Sequence, residues 1–228
     1  MSGNAPFDED DQKVVNGALR PKDAATLVLV RRDRDGLRVL MGRRHGAMAF
    51  MANKYVFPGG RADPGDYRVA AGGRVRAEIL KKEPKARGLA LAAVRETFEE
   101  TGVLVGERAT AVPRTRNAAW RRFFAHGVVP RLDALSLIAR AITPPNRTRR
   151  FDARFFMADA AHIAKTLDAA NEELLTPCWV TLAEARALDL PGITRRVLDE
   201  VEARAHGEHD RPIPFFQFLR NKPSVRHL

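Results

Sequence analysis

Arg95-Glu96-Thr97-Phe98-Glu99-Glu100-Thr101-Gly102-Val103 is the stretch on which the reading of this 228-residue chain turns. With Glu96 set at zero on a helical wheel, Glu99 falls at about 300° and Glu100 at about 40°. Leu91, Val94 and Phe98 fall at about 220°, 160° and 200°, on the opposite side. The pattern predicts a helix over 85–101, stopped by Gly102, that buries an apolar stripe and gathers three carboxylates on the other face. Like charges four residues apart cost a bare helix about a few tenths of a kcal/mol. They also sit at the end of the helix where the macrodipole disfavours them. Something cationic should offset this, and a hard divalent ion held by oxygen ligands would do so.

Upstream, Tyr55-Val56-Phe57 reads as a strand that ends in Pro58-Gly59-Gly60. There an exposed backbone carbonyl can be a further oxygen ligand, and the missing side chains let a phosphate approach. Phe57-Pro58-Gly59-Gly60 followed by Arg95 to Val103 resembles the Nudix box, G-x5-E-x7-R-E-U-x-E-E-x-G-U. The second half matches at every fixed position. In the first half, five residues separate Gly60 from Asp66, which stands where the pattern has Glu. Between Asp66 and Arg95 lie 28 residues instead of seven, so the box carries an expected insertion at about 67–87. An insertion here resembles the branch that contains acyl-CoA diphosphatases and their bacterial relatives.

The resemblance implies an α-β-α sandwich around a mixed sheet, an α/β fold. It implies a metal-dependent hydrolase that cleaves the diphosphate linkage of a nucleoside diphosphate joined to another moiety, with coenzyme A or acyl-CoA as candidates. Glu96, Glu99, Glu100 and the Gly60 carbonyl would hold Mg²⁺ or Mn²⁺, and Arg95 would orient a box glutamate by ion pairing. One of the helix carboxylates, or a loop acid elsewhere, would take the proton of the attacking water. Of the downstream acids Glu172 and Glu173, Glu173 is the chosen further metal ligand. Asp66 either sits near the metal or caps a turn. The family's frequent dimers suggest a homodimer.

For the substrate, the upstream signature of coenzyme A diphosphatases, L-L-T-x-R-[SA]-x3-R-x3-G-x3-F-P-G-G, is met in part. Leu40 and Arg44 match and Met41 is a mild change, but Gly42, His45, Ala49 and Asn53 depart from it. Arg43 and Arg44 grip a phosphate or are surface charges. Arg149, Arg150 and Arg154, interleaved with Phe151 and Phe155, form a second candidate for phosphate contact and base stacking. Arg44, Arg150 and Arg154 are therefore the expected substrate-binding residues. The insertion carries seven basic residues against two acidic ones and reads as a lid or a solvated excursion.

Further out, Ala24 to Val30 reads as a buried strand, with Asp35-Gly36 turning into a return strand over 37–41. Leu132 to Ala141 reads as helical, Arg154 to Met157 and Cys178 to Val180 as strands. Thr181 with Glu184 is a capping box, and Pro191 to Ala205 is a last helix. These elements divide the chain into a leader over 1–21, a domain over 22–208 and a tail over 209–228.

The net charge is +11, from 39 basic and 28 acidic residues. No finger, RNP-type strand or basic zipper accompanies it, so a phosphorylated metabolite or nucleotide is a better partner than a polynucleotide. A lone cysteine excludes an internal disulfide framework. The longest strongly apolar run, seven residues, is far below the roughly 20 of a membrane span. The acidic, unapolar start is no secretory signal, and the expectation is a soluble cytoplasmic protein. A non-catalytic nucleotide- or RNA-binding module on the same scaffold is the alternative, against which the intact glutamate set speaks.

Overall fold

The computed structural model describes residues 19–47, 51–145, 147–168, 174–220 and 222–228. The centre is β1 (Lys22–Asp33), hydrogen-bonded in parallel to β9 (Phe151–Asp159) on one edge. On its other edge it pairs antiparallel with β2 (Gly36–Arg44) over Val30–Asp33 and with β4 (Gly59–Arg61) over Ala24–Thr26. So β2 diverges from β1, and β4 enters the fork between them. The short β3 (Tyr55–Val56) stays on β2.

The main sheet runs β11-β2-β1-β9-β8-β12-β13, with β8 over Ser136–Ile142, β11 over Leu174–Thr181, β12 over Pro214–Leu219 and β13 over Lys222–His227. Small ladders join β5 (Val103–Val105) to β10 (Ile163–Thr166) and β6 (Glu107–Arg108) to β7 (Val128–Val129). The helices are α1 (Ala77–Lys82), α2 (Ala86–Thr101), α3 (Ala118–Phe124), α4 (Leu182–Ala187) and α5 (Gly192–Ala205).

The period of two along β1 builds two cores. Ala25, Leu27 and Leu29 pack with Leu91, Val94 and Phe98 of α2 on one face. Val28 and Val30 pack with Val197, Leu198 and Val201 of α5 on the other. A mixed sheet with a helix layer on each face is the sandwich expected from sequence. Among the described residues no helix is long and apolar enough to cross a membrane.

Thr181 accepts from the Glu184 amide, and Glu184 reaches back to the Thr181 amide, so the capping box opens α4 as read. Residues 132–141 do not form a helix: after a 3₁₀ turn over Leu132–Ala134 the chain becomes β8. β8 lies between β9 and β12 and buries Leu137, Ile138 and Ala139, and so a central strand reads as an unbroken apolar run that periodicity cannot tell from helix. The expected tail over 209–228 is mostly the hairpin β12–β13. Its prolines fit, Pro214 opening β12 and Pro223 lying on the edge strand β13. Of the leader, residues 1–18 lie outside the described residues.

The stretch between Asp66 and Arg95 is anchored to the core. Val69, Val75 and Ile79 join the α2-side core, and Arg87 donates to the Val69 carbonyl at 2.6 Å. Glu83 is buried and accepts from Arg154 of β9 at 2.7 Å.

Candidate active site

α2 ends where Gly102, at φ 71°, takes the left-handed conformation and donates to the Phe98 carbonyl. The three glutamates thus stand in the last two turns, beside the Gly59–Gly60 backbone of β4. Glu100, 2% exposed, accepts the Gly59 N–H at 2.9 Å. At Gly60 a Cβ would come within 2.5 Å of the Glu96 carboxyl carbon, so only glycine lets this carboxylate lie against the strand. Gly60→Ala is expected to displace Glu96 and cost well over half of any turnover, while the urea midpoint changes little because Glu96 is the movable partner. Unchanged activity would show that the close approach is unnecessary.

Arg95 organises the cluster. It is 5% exposed, and its Nε and Nη2 fork onto Asp66 at 2.9 and 3.0 Å. Nη2 also donates to the Arg61 carbonyl at 3.0 Å. Nη1 donates to Glu96 at 2.8 Å and to Glu99 at 2.7 Å. Asp66, at 0% exposure, further accepts from the Trp120 indole and the Asp63 amide, both at 2.8 Å. The acid in the first half of the box therefore holds Arg95, which settles it as a buried anchor. Burial works to lower the Arg95 pKa, but Asp66 and Glu96 hold it above its ordinary value. Burial pushes the Glu96 carboxyl up to about 7, against the pull of Arg95.

Glu96, Glu100, Gly59 and Gly60 form one edge of a cavity of about 330 Å³. Glu99 does not line it; it lies between Arg95 and Arg122, the latter at 3.2 Å. Among the described residues no three His, Cys, Asp or Glu side chains are grouped as a metal cage. The three-carboxylate cage read from the helical wheel is thus not drawn together here, because the Arg95 fork takes up Glu99 and one oxygen of Glu96. Part of the charge that called for a metal ion is offset by this arginine.

The cavity's other walls come from Val56, Phe57, Phe151, Phe155, Arg44, Arg149 and the start of α5. Of the expected substrate-binding residues, Arg44 is among those lining the cavity. Arg154 is not: it is 2% exposed and ion-paired to Glu83 and to Asp23, the latter at 2.8 Å. The alternation along β9 explains this, since Phe151, Ala153 and Phe155 face the cavity and Arg154 points to the opposite side. Arg150 donates to the carbonyls of Thr143 at 3.1 Å and Leu19 at 2.7 Å and does not line the cavity. Arg149 takes that place. Glu173 lies outside the described residues. Sequence reasoning missed Thr26, Thr143 and Thr194, whose hydroxyl-bearing side chains line the cavity but carry no spacing signal.

A NUDIX hydrolase from Alicyclobacillus acidocaldarius is 30% identical, over 79% of this chain and 90% of that one, at a TM-score of 0.64. The chain belongs to the Nudix hydrolase family. The NUDIX domain of Shewanella oneidensis NrtR, solved with ADP ribose, is 12% identical over 82% of this chain and 90% of that one. Its TM-score of 0.50 makes it a likeness of fold alone. No protein-family model and no curated protein sequence matches the chain.

Proposed function

We propose that this Nudix hydrolase cleaves the diphosphate linkage of a nucleoside diphosphate joined to another moiety, with Mg²⁺ or Mn²⁺ as cofactor. The observation that carries the reading is the meeting, in one cavity, of Glu96, Glu100 and Gly60 with Arg44 and Arg149. The donors on the acidic edge are all oxygens, and the missing side chain at Gly60 lets the Glu96 carboxylate lie against the β4 backbone, a donor set that suits a hard divalent ion. Glu96, Glu100 and the Gly60 carbonyl would hold it, with Glu99 close behind them on Arg95. Such an ion neutralises charge on the diphosphate oxygens and acidifies bound water.

The chain's own groups supply the rest. Arg95, clamped by Asp66, keeps Glu96 and Glu99 in place. A carboxylate of the acidic edge accepts the proton of the attacking water. Phe57, Phe151 and Phe155 give the substrate an apolar bed and keep bulk water out. Arg44 and Arg149 attract its phosphates. Coenzyme A and acyl-CoA lead the candidate substrates because the insertion in the box resembles the acyl-CoA diphosphatase branch. The partial upstream match at Leu40 and Arg44 does not by itself assign them. Against the RNA-binding alternative, Arg95 and Arg154 are buried and ion-paired and so are not presented to a polynucleotide.

The test is a panel of coenzyme A, acyl-CoAs, NADH, ADP-ribose and nucleotide sugars with each metal, reading released phosphate products. At least one member should be cleaved at the diphosphate, and chelation should stop it. Cleavage that persists in excess chelator would remove the metal from the reading, and no cleavage with either metal would overturn it.

A further inference from the structure

α3 lies outside the glutamate helix and its residues do not line the cavity, yet it reaches the acidic edge from behind. Asn117 opens α3 by accepting the Trp120 amide at 3.1 Å, and its own side-chain nitrogen donates to Asp63 at 3.0 Å. Gly65 permits this approach, since a Cβ there would come within 2.3 Å of the Asn117 side chain. The helix is thereby fixed to the turn that carries Asp66. Trp120 is 0% exposed, and its ring is held against Phe123 and Phe124, with centroids 5.2 and 5.6 Å away. An indole has a single polar atom, a donor that cannot become an acceptor. That atom donates to Asp66 at 2.8 Å.

This bond stands at the head of a relay. Asp66 Oδ1 accepts from Trp120 and from Arg95 Nε, and Oδ2 accepts from the Asp63 amide and from Arg95 Nη2. With two donors on each oxygen, the carboxylate is fixed in orientation as well as in place. The remaining nitrogen of Arg95, Nη1, goes to both Glu96 and Glu99. A guanidinium is planar and rigid, so the plane set by Asp66 is the plane in which Nη1 meets the two glutamates. Without the indole N–H, the carboxylate can turn about its Cβ–Cγ bond, and the Arg95 fork turns with it and carries Nη1 away. α3 also touches the other end of the relay, where Arg122 donates to the second oxygen of Glu99 at 3.2 Å. We propose that Trp120 is a positioning residue for the divalent-ion site: through Asp66 and Arg95, its indole N–H sets where Glu96 and Glu99 stand. The inference rests on the metal-dependent reading in placing an ion beside Glu96.

Trp120→Phe keeps an aromatic ring and removes the donor. Mn²⁺ titrated calorimetrically into this variant without substrate should bind at least about fivefold more weakly than to the parent. That is below the about 10–100-fold of a group bonded directly to a metal ligand, because two side chains intervene. Leu135→Ala truncates a residue of the same core that has no part in the relay. It should lower the urea midpoint at least as far, yet leave Mn²⁺ affinity within about twofold. At saturating Mn²⁺, Trp120→Phe should lower kcat by about fivefold with KM within about twofold, since Trp120, Asp66 and Arg95 do not line the cavity. A further reading leaves Trp120 in place. Trp120 and Trp179 are the two tryptophans of the chain, so the indole N–H resonance that survives in Trp179→Phe belongs to Trp120. It should exchange slowly with D₂O and shift when Mg²⁺ is added. An indole resonance that ignores Mg²⁺, or an equal loss of Mn²⁺ affinity in Leu135→Ala, would overturn the positioning role. Chelator-sensitive cleavage with Trp120→Phe equal to the parent in Mn²⁺ affinity and kcat would overturn it too, and would leave the diphosphatase reading standing. Weakened Mn²⁺ binding in Trp120→Phe with no diphosphate of the panel cleaved would do the reverse.

Discussion

Glu100→Gln is expected to lower kcat on the best panel substrate by roughly 10²–10⁴-fold, the range of a lost catalytic or metal-holding carboxylate. The side chain is buried at the cavity edge and accepts the Gly59 amide at 2.9 Å. Glutamine has nearly the same shape and can still offer an oxygen to that N–H. What it loses is the charge, and with it most of its hold on a divalent ion and the ability to take a proton. Stability should therefore change by only about 1 kcal/mol, the net worth of one hydrogen bond altered but not removed. Steady-state kinetics at saturating Mn²⁺ together with urea unfolding separate the two effects. Turnover within a factor of about three of the parent would exclude Glu100 from the chemistry. A large fall in the urea midpoint would mean that its role is structural.

Asp66→Ala should destabilise the fold by about 3–5 kcal/mol, the usual cost of removing one partner of a buried ion pair. The fully buried carboxylate accepts two bonds from Arg95, one from the Trp120 indole and one from the Asp63 amide. Its loss strands these donors and leaves a nearly buried guanidinium with only Glu96, Glu99 and one carbonyl. Those remaining contacts favour the lower end of the range. Asp66→Asn should cost less, because its oxygen still accepts from Arg95 or Trp120 while its amide nitrogen meets a donor. Turnover should fall in both variants, since a released Arg95 no longer fixes Glu96. An Asp66→Ala loss under about 1 kcal/mol would show that water or the glutamates replace the carboxylate without strain.

How far each part of the site was legible follows from the range of the forces involved. The carboxylate face of α2, its stop at Gly102 and the Thr181–Glu184 cap depend on residues within one or two helical turns, and the sequence displays them directly. The same holds for the hairpin β1–β2, which is announced by Asp35-Gly36. β8 was misread because a strand buried on both faces loses its period of two. β12 and β13 were hidden behind prolines that look like tail composition, although each proline stands where a ladder tolerates it.

The arginines show the boundary most sharply. Arg149, Arg150 and Arg154 look interchangeable as basic residues among phenylalanines, yet one lines the cavity, one is tied to backbone carbonyls and one is locked to Glu83. Asp66 and Arg95 lie 29 positions apart, and nothing local indicates that they form a bidentate pair. By itself the sequence determined the family pattern, the helix that carries Glu96, Glu99 and Glu100, and the glycines that let β4 approach it, because these are matters of helical phase and backbone sterics. Only the tertiary structure decided which carboxylates reach the cavity, which arginines line it and that the start of α5 is part of its wall. Those outcomes depend on which distant charges meet once the sheet is assembled, and a long-range ion pair leaves no periodic trace in the chain.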